Sequence, residues 1–146
     1  MALEIRPMEA ADVPAVAAIE SAVFSEPWSG KSFLEMLERE DTLYLTAVSE
    51  GKIAGMCGLL IGPYEAELFN VAVAPDLQGK GIAGRMLPEL LRRGFERGVR
   101  EFTLEVRASN RVAIHLYEKN GFVAEGVRPH FYLNPEEDAL IMWNRG

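Results

Sequence analysis

The chain is poor in the residues that disulfides and metal sites require. Its 146 residues include one cysteine, Cys57, and two histidines, His115 and His130. A single cysteine cannot form an internal disulfide, and Cys57 lies in an apolar stretch, so we expect a buried thiol in a reducing compartment rather than a reactive nucleophile. Two scattered histidines are too few for a metal site, so we expect no metal and interpret His115 as structural.

Long apolar runs and an excess of basic residues are also missing. No apolar run approaches the roughly 18–20 residues of a membrane-spanning helix, and the first residues carry acids rather than a signal-peptide core. Lys and Arg total 15 against 22 for Asp and Glu, a net charge of −7. This balance argues against direct nucleic-acid binding and allows steering of a cationic substrate. We therefore expect a cytoplasmic protein without a membrane or nucleic-acid partner.

What the sequence does contain is an ordinary globular composition without internal repeats. With 49% hydrophobic and 25% charged residues, it favours a single domain spanning residues 1–146. The apolar periodicity predicts strands and helices in the order βααβββαβαββ, with an antiparallel meander between Leu43 and Pro75. The predicted fold class is mixed α/β (α+β).

Helix ends are marked by residues with known capping preferences. Asp12 (with Pro14 in the first turn), Ser29 and Ser109 are predicted N-caps, and Gly121 is predicted to end the last helix. The last two strands, within "FVAEGV" and "DALIMWN", are predicted to be joined by a polar, aromatic loop, "RPHFYLNPEE".

The stretch "LQGKGIAGRML", which begins at Leu77, places three glycines between a strand and a helix. Residues 79–84 match the G-x-G-x-x-G pattern of dinucleotide-binding folds, but four residues separate them from a strand of an antiparallel meander, which disfavours that fold. The Walker A pattern does not match. Two interpretations remain: a plain helix start, or free N–H groups and a helix dipole that hold a pyrophosphate.

Three polar residues further on suggest a second part of a site. Glu105 lies mid-strand, and alternation turns it away from the face of Leu104 and Val106. A carboxylate there is costly unless it is paired, hydrated or functional. Asn110 and Tyr117 are two helical turns apart and share a helix face. They suggest a lined pocket, although a half-buried tyrosine with its hydroxyl at the surface would give the same pattern.

These motifs carry a family resemblance. Gln78, Gly81 and Ala83 fit the pattern [RQ]-x-x-G-x-[GA], which resembles the pyrophosphate signature of the GNAT acetyltransferases. "LFNVAVAPDLQGKGIAGRML", "LEVRASNRVAIHLYEKNGF" and the early "PWS" resemble the branch that acetylates the N-termini of ribosomal proteins, over nearly the whole chain. The resemblance implies a central mixed sheet of about seven strands, with an antiparallel N-terminal meander and about four flanking helices.

The resemblance also implies roles for individual residues, with acetyl-CoA as co-substrate and no metal. Glu105 would be the general base and Tyr117 the general acid that protonates the leaving thiolate. Trp28, Phe131 and Tyr132 would contact the acceptor, although Trp28 alone could equally be core packing, and Phe131 stands where relatives more often have tyrosine. The residues implied for acetyl-CoA binding are Val71, Ala72, Val73, Gln78, Gly79, Lys80, Gly81, Ile82, Ala83, Gly84, Asn110 and Tyr117.

The implied activity is acetyl transfer to the N-terminal amine of a protein, with the N-terminal alanine of a small-subunit ribosomal protein as the leading acceptor. Two alternatives stay open. One is a GNAT enzyme that acetylates lysine side chains or a small amine, since the fold serves many acceptors. The other is an acyl-CoA-binding module without catalysis, against which the pair Glu105 and Tyr117 argues. We expect a monomer or a weak dimer.

Overall fold

The computed structural model describes residues 2–146, which form one seven-stranded sheet with two helices on each face. The spatial order of the strands is β1-β2-β3-β4-β5-β7-β6, and every neighbouring pair is antiparallel except β4 and β5. The predicted GNAT-type architecture is confirmed. In chain order the elements are β1 (Glu4–Pro7), a 3-10 turn (Ala10–Asp12), α1 (Val13–Val23), α2 (Gly30–Leu37), β2 (Thr42–Ser49), β3 (Lys52–Ile61), β4 (Glu65–Val73), a 3-10 turn (Pro75–Leu77), α3 (Ile82–Glu96), β5 (Glu101–Arg107), α4 (Arg111–Lys119), β6 (Val123–Tyr132) and β7 (Glu137–Asn144).

Each face of the sheet has its own hydrophobic core. The larger core lies under α3 and α4, and strand residues such as Leu59, Leu104 and Val106 pack there against Met86 and Leu90 of α3. A smaller core lies under α1 and α2 on the other face. Its members are Met8, Val13, Val16, Ile19, Phe33, Tyr44, Met56 and Ala72. No helix in residues 2–146 is long and apolar enough to cross a membrane.

The strands β4 and β5 pair over only three residues each. Their register runs from Glu65 beside Glu101 to Glu67 beside Thr103, although β4 continues to Val73 and β5 to Arg107. The two strands therefore separate in the middle of the sheet. Beyond these residues the backbone groups of the two strands do not pair with each other within the described part of the chain, and we call this gap between β4 and β5 the opening.

A β-bulge in β4 lies beside this opening. The register between β3 and β4 shifts between Met56 and Gly58, and Asn70 takes the left-handed conformation with φ of 59°. Because the bulge inserts an extra residue, it reverses the alternation of the strand. Leu68 belongs to the α3 core, whereas Ala72 belongs to the α1 core.

Of the predicted helix ends, the N-cap positions of Asp12 and Ser29 and the stop at Gly121, which has φ of 88°, are confirmed, and the cap at Ser109 is wrong. Ser29 caps α2 by accepting a 3.1 Å hydrogen bond from the Ser32 N–H. Asp12 makes no such bond to α1, because its carboxylate is committed to the Arg6 guanidinium and to the Glu9 N–H. The N-cap of α4 is Asn110 rather than Ser109.

The predicted loop "RPHFYLNPEE" is also shorter than expected. β6 extends to Tyr132, so Phe131 and Tyr132 lie on the strand, and residues 133–136 alone connect it to β7. The register of β6 against β7 shifts between Arg128 and Tyr132. Almost all of β6 is exposed, so its side chains lack the apolar alternation by which a half-buried strand is recognised.

Candidate active site

Glu105 projects into the opening from the middle of β5. Leu104 and Val106 beside it are buried in the α3 core, so Glu105 faces the α1 side, as the alternation predicted. The Nε of Arg128 lies 3.0 Å from Glu105 Oε2, but its N–H does not point at that oxygen. Oε2 is therefore buried without a hydrogen-bond partner among the described residues. A buried carboxylate oxygen in this state is available to a ligand's N–H group or to a water.

A second carboxylate, Glu67, lies close to Glu105 at the point where β4 leaves β5. The two strands place Glu67 beside Thr103, so Glu105 is its diagonal neighbour on the same face. Burial raises the pKa of Glu67, the nearby Glu105 charge raises it further, and Arg128 opposes the rise. Excess negative charge at this end of the opening favours a bound cation, such as an ammonium group.

Tyr117 lies on the opposite face, inside the α3 core. It is 7% exposed and packs edge-on against Phe122, with ring centroids 5.8 Å apart. Its hydroxyl makes no side-chain hydrogen bond within residues 2–146, and burial raises the pKa of the phenol, with smaller contributions from Cys57 and Tyr132. Tyr117 therefore stays protonated at neutral pH and can act as a proton donor.

Glu105 and Tyr117 thus approach the opening from opposite faces of the sheet. If the sheet were intact, it would prevent the two side chains from acting on the same bound molecule. The pairing of β4 with β5 ends at Glu67 and Thr103, so the sheet is interrupted at the level of Glu105. This arrangement suits a reaction in which two molecules enter from different faces and meet in the opening.

The glycine stretch forms the N-terminal end of α3. Gly79 and Gly81 both take positive φ, 79° and 80°, and Gly81 is the N-cap. None of the hydrogen bonds in the described residues uses a backbone N–H of residues 79–84 as donor. A Cβ at Gly79, Gly81 or Gly84 would meet no atom of residues 2–146 within 4 Å. The stretch presents free N–H groups at a largely exposed helix N-terminus, which fits a phosphate group.

The other residues predicted to bind acetyl-CoA lie near the C-terminal end of β4 and in the loop that follows it. Ala74 donates to the Ala54 carbonyl of β3, so by ladder alternation Ala72 also faces β3 and the backbone groups of Val71 and Val73 face the opening. Gln78 donates 3.2 Å to the Val73 carbonyl and ties the glycine loop to β4. Lys80 is exposed, Ile82 is buried, and Ala83 is half-buried.

Asn110 and Tyr117 both belong to α4, but their surroundings differ. Asn110 is exposed, and its Oδ1 accepts from the Ala113 N–H at 3.2 Å. Its amide nitrogen alone remains for a ligand. His115 is exposed. Cys57 is buried and free, as predicted, and burial raises the pKa of its thiol to about 12. No cluster in residues 2–146 has the composition of a metal site.

Aromatic residues line the Glu105 side of the opening. Trp28 is half-buried and contacts Phe33 and Phe69, with ring centroids 5.5 and 5.8 Å apart, so it both packs on the α1 core and borders β4. Phe131, 41% exposed, and Tyr132 stack edge-on at 5.0 Å. Burial and the Glu105 charge raise the pKa of Tyr132 to about 12.

Sequence reasoning missed several residues that organise this side. Arg107 stacks on Tyr132 at 4.5 Å and donates to the Leu133 carbonyl and to Ser25 Oγ, so it joins the β6–β7 connection to the α1–α2 connection. Glu67, Arg128, Glu20 and Asn70 were missed as well. Glu20 carried a signal, because it falls next to Ile19 on the apolar stripe of α1, where an acid is unexpected.

Comparison with known proteins identifies the family. The model of the acetyltransferase (GNAT) family matches residues 13–122, three quarters of the chain. The chain belongs to the GNAT acetyltransferases. The family prediction and the prediction of an acyltransferase are both confirmed.

Relatives of this GNAT enzyme are similar over almost their whole length. The ribosomal protein bS18-alanine N-acetyltransferase of Escherichia coli K12 is 39% identical over 140 residues, 94% of each chain. N-alpha-acetyltransferase RimI of Mycobacterium tuberculosis is 36% identical over 90% of this chain and 85% of that one. The crystal structure of the E. coli ribosomal-protein-S18-alanine N-acetyltransferase matches with a TM-score of 0.89 at 38% identity, covering 97% of this chain and 92% of the other.

Proposed function

We propose that this GNAT enzyme transfers an acetyl group from acetyl-CoA to the N-terminal α-amine of a protein, with the N-terminal alanine of a small-subunit ribosomal protein as acceptor. The observation that carries the proposal is the buried Glu105 Oε2, which has no hydrogen-bond partner within residues 2–146 and lies on the α1 face, while Tyr117 is buried on the α3 face. The relatives support an N-terminal acceptor, since that of E. coli is a ribosomal protein bS18-alanine N-acetyltransferase and that of M. tuberculosis is an N-alpha-acetyltransferase.

The residues on the α3 side fit acetyl-CoA. The free N–H groups of residues 79–84 would hold its pyrophosphate, because a helix N-terminus attracts negative charge. The backbone groups of Val71 and the N–H of Val73, which face the opening, would pair with the amides of the pantetheine arm, whereas the Val73 carbonyl already accepts from Gln78. When bound there, acetyl-CoA supplies an acetyl thioester as the group to be transferred.

The residues on the α1 side would receive the acceptor. Glu105 and Glu67 supply negative charge for an α-ammonium group, and Trp28, Phe131 and Tyr132 border the entrance. Arg128, whose side chain is 56% exposed, covers Glu105 Oε2 and would swing toward solvent when an ammonium group takes its place. An α-amine has a pKa near 8, so most of it arrives protonated at neutral pH.

The proton transfers are then assigned to two residues. Glu105 takes a proton from the ammonium group, directly or through one water, and passes it to solvent. The freed amine nitrogen attacks the thioester carbonyl carbon, a C–N bond forms, and the C–S bond breaks. Tyr117 gives its hydroxyl proton to the departing sulfur and regains one from solvent. The products are the acetylated N-terminus and free coenzyme A.

A peptide panel tests the proposal. The enzyme is incubated with acetyl-CoA and three peptides: alanine-first, methionine-first, and one with a blocked N-terminus and a free lysine. Mass spectrometry locates the acetyl group. We expect it on the α-amine, with the alanine-first peptide modified fastest. Acetylation of the blocked peptide alone would refute the N-terminal assignment in favour of a lysine or small-amine acceptor.

A further inference from the structure

A buried polar cluster that takes no part in these proton transfers links α1, β2 and β4. Glu20 is 2% exposed, and its Oε1 and Oε2 accept from the Asn70 amide at 3.0 and 3.2 Å. Glu20 Oε2 also accepts from the Trp28 backbone N–H at 3.0 Å. The Tyr44 hydroxyl donates to Asn70 Oδ1 at 2.9 Å. We call Glu20, Asn70 and Tyr44 the bulge cluster.

The bulge cluster holds an unfavourable backbone conformation in place. Asn70 has φ of 59°, in the left-handed region that most L-residues avoid and that asparagine enters at a smaller cost. Its side-chain bonds to Glu20 and Tyr44 oppose relaxation of that conformation. The bulge it creates sets the direction of Val71 and Val73, whose backbone groups face the opening.

The bulge cluster also contacts Trp28, one of the aromatic residues on the acceptor side. Through its N–H bond to Glu20, Trp28 is fixed relative to Asn70, and its ring packs 5.8 Å from Phe69, the residue before the bulge. Stability alone is a poor explanation for Glu20, because burial disfavours a charged carboxylate and an apolar side chain in the same space would pack at lower cost.

We propose that Glu20, Asn70 and Tyr44 are positioning residues that hold the cofactor-facing backbone of β4 and the acceptor-facing Trp28 in one fixed relation. The negative charge of Glu20 attracts two donors, the Asn70 amide and the Trp28 N–H, to one carboxylate. Loss of the cluster would leave the acetyl-CoA side and the acceptor side of the site formed but misaligned with each other. This inference rests on the proposed acceptor side of the reaction.

Two substitutions at Asn70 separate the bulge conformation from the link to Trp28. Asn70→Gly keeps the positive φ without strain but removes both side-chain bonds. We expect its affinity for acetyl-CoA, measured by calorimetry, to stay within about twofold of wild type, while KM for the alanine-first peptide rises about tenfold, as for loss of a hydrogen bond to a charged group. Asn70→Ala also strains the bulge, so we expect weaker acetyl-CoA binding in addition.

Glu20→Gln tests the charge without changing the shape. Burial raises the pKa of Glu20, so removing the charge relieves a desolvation cost, but the amide leaves one buried donor unpaired. We therefore expect the variant to fold with a thermal unfolding midpoint somewhat below that of wild type. The carboxamide can accept from only one of the two donors through its oxygen, so peptide KM should still rise. If Asn70→Gly does not fold, this variant alone decides the question.

The double variant Glu20→Gln/Asn70→Gly provides the coupling test. If both residues act through one cluster, its peptide KM should be no higher than that of the worse single variant, whereas independent sites would multiply. Glu50→Ala is the control, because Glu50 has a similar φ of 52° in the exposed β2–β3 turn and should change neither constant.

Unchanged peptide KM in folded Asn70→Gly and Glu20→Gln would overturn the positioning role and leave a purely structural one. If wild type acetylates a small amine rather than an N-terminus, the proposed acceptor is wrong. The cluster is then judged by KM for that amine in the same variants.

Discussion

Substitution of Glu105 should impair catalysis and leave acetyl-CoA binding unchanged. This residue lies on the α1 face, whereas residues 79–84 lie at the start of α3 on the other side. Glu105→Gln keeps the size of the side chain but cannot accept a proton at neutral pH. We expect kcat for the alanine-first peptide to fall by about 10²-fold or more, with acetyl-CoA affinity by calorimetry near wild type. Unaltered turnover would contradict the assignment of the base.

Tyr117 allows a prediction about pH as well as about rate. A general acid must be protonated, and burial raises the pKa of Tyr117 above its ordinary value of 10. Loss of activity through its ionisation should therefore begin above pH 10, and kcat should not fall between pH 8 and 10.

Tyr117→Phe removes the hydroxyl alone. Because that hydroxyl has no side-chain hydrogen-bond partner within residues 2–146, the thermal midpoint should not drop. We expect kcat to fall by about 10²-fold, the typical size of a general-acid effect. A rise in peptide KM at unchanged kcat would make Tyr117 a substrate contact instead.

At the scale of the element, the N-terminus of α3 can be tested without straining it. A residue other than glycine at Gly81 would be strained by φ of 80° whether or not a ligand binds, whereas Gly84 lies inside the helix with open space around its Cα. Gly84→Ala should stabilise the protein by about 0.5–1 kcal/mol through helix propensity.

The same Gly84→Ala substitution should weaken coenzyme A binding, because its methyl group would occupy space that the pyrophosphate needs. Calorimetry and thermal unfolding measure both effects. Ser21→Ala, at an exposed site on α1, is the matched control that should stabilise without changing affinity. Equal affinity in both variants would return the glycine stretch to a plain helix start.

Much of the element pattern was predictable from the sequence because buried strands and amphipathic helices leave a strong apolar period. The exposed strand β6 leaves none at Phe131 and Tyr132, and its register shift hides them further. Ser109 and Asn110 are adjacent and both suit an N-cap, so propensity could not choose between them. The bulge at Asn70 depends on bonds to Glu20 and Tyr44, 50 and 26 residues away, which no local pattern contains.

At the scale of the whole molecule, the net charge of −7 should attract a basic acceptor and repel an acidic one. Exposed charges are screened beyond about 10 Å at 0.1 M salt. We therefore expect kcat/KM for an alanine-first peptide rich in lysine and arginine to fall about tenfold between 0.05 and 0.5 M salt, and that for a neutral peptide to change little.

Paired charge reversals distinguish a local field from the total charge. Glu35 and Glu38 line an open groove of ≈ 540 Å³ on α2 that Trp28 also borders. Glu4 and Glu50 are exposed at the far edge of the sheet, around β1 and the β2–β3 turn. Glu35→Lys/Glu38→Lys and Glu4→Lys/Glu50→Lys change the net charge equally. If the basic chain of the acceptor passes along α2, the first pair should lower kcat/KM for the basic peptide several-fold more than the second, because Coulomb attraction falls with distance. Equal effects would mean that only the total charge steers the acceptor, and no effect from either pair would exclude steering altogether.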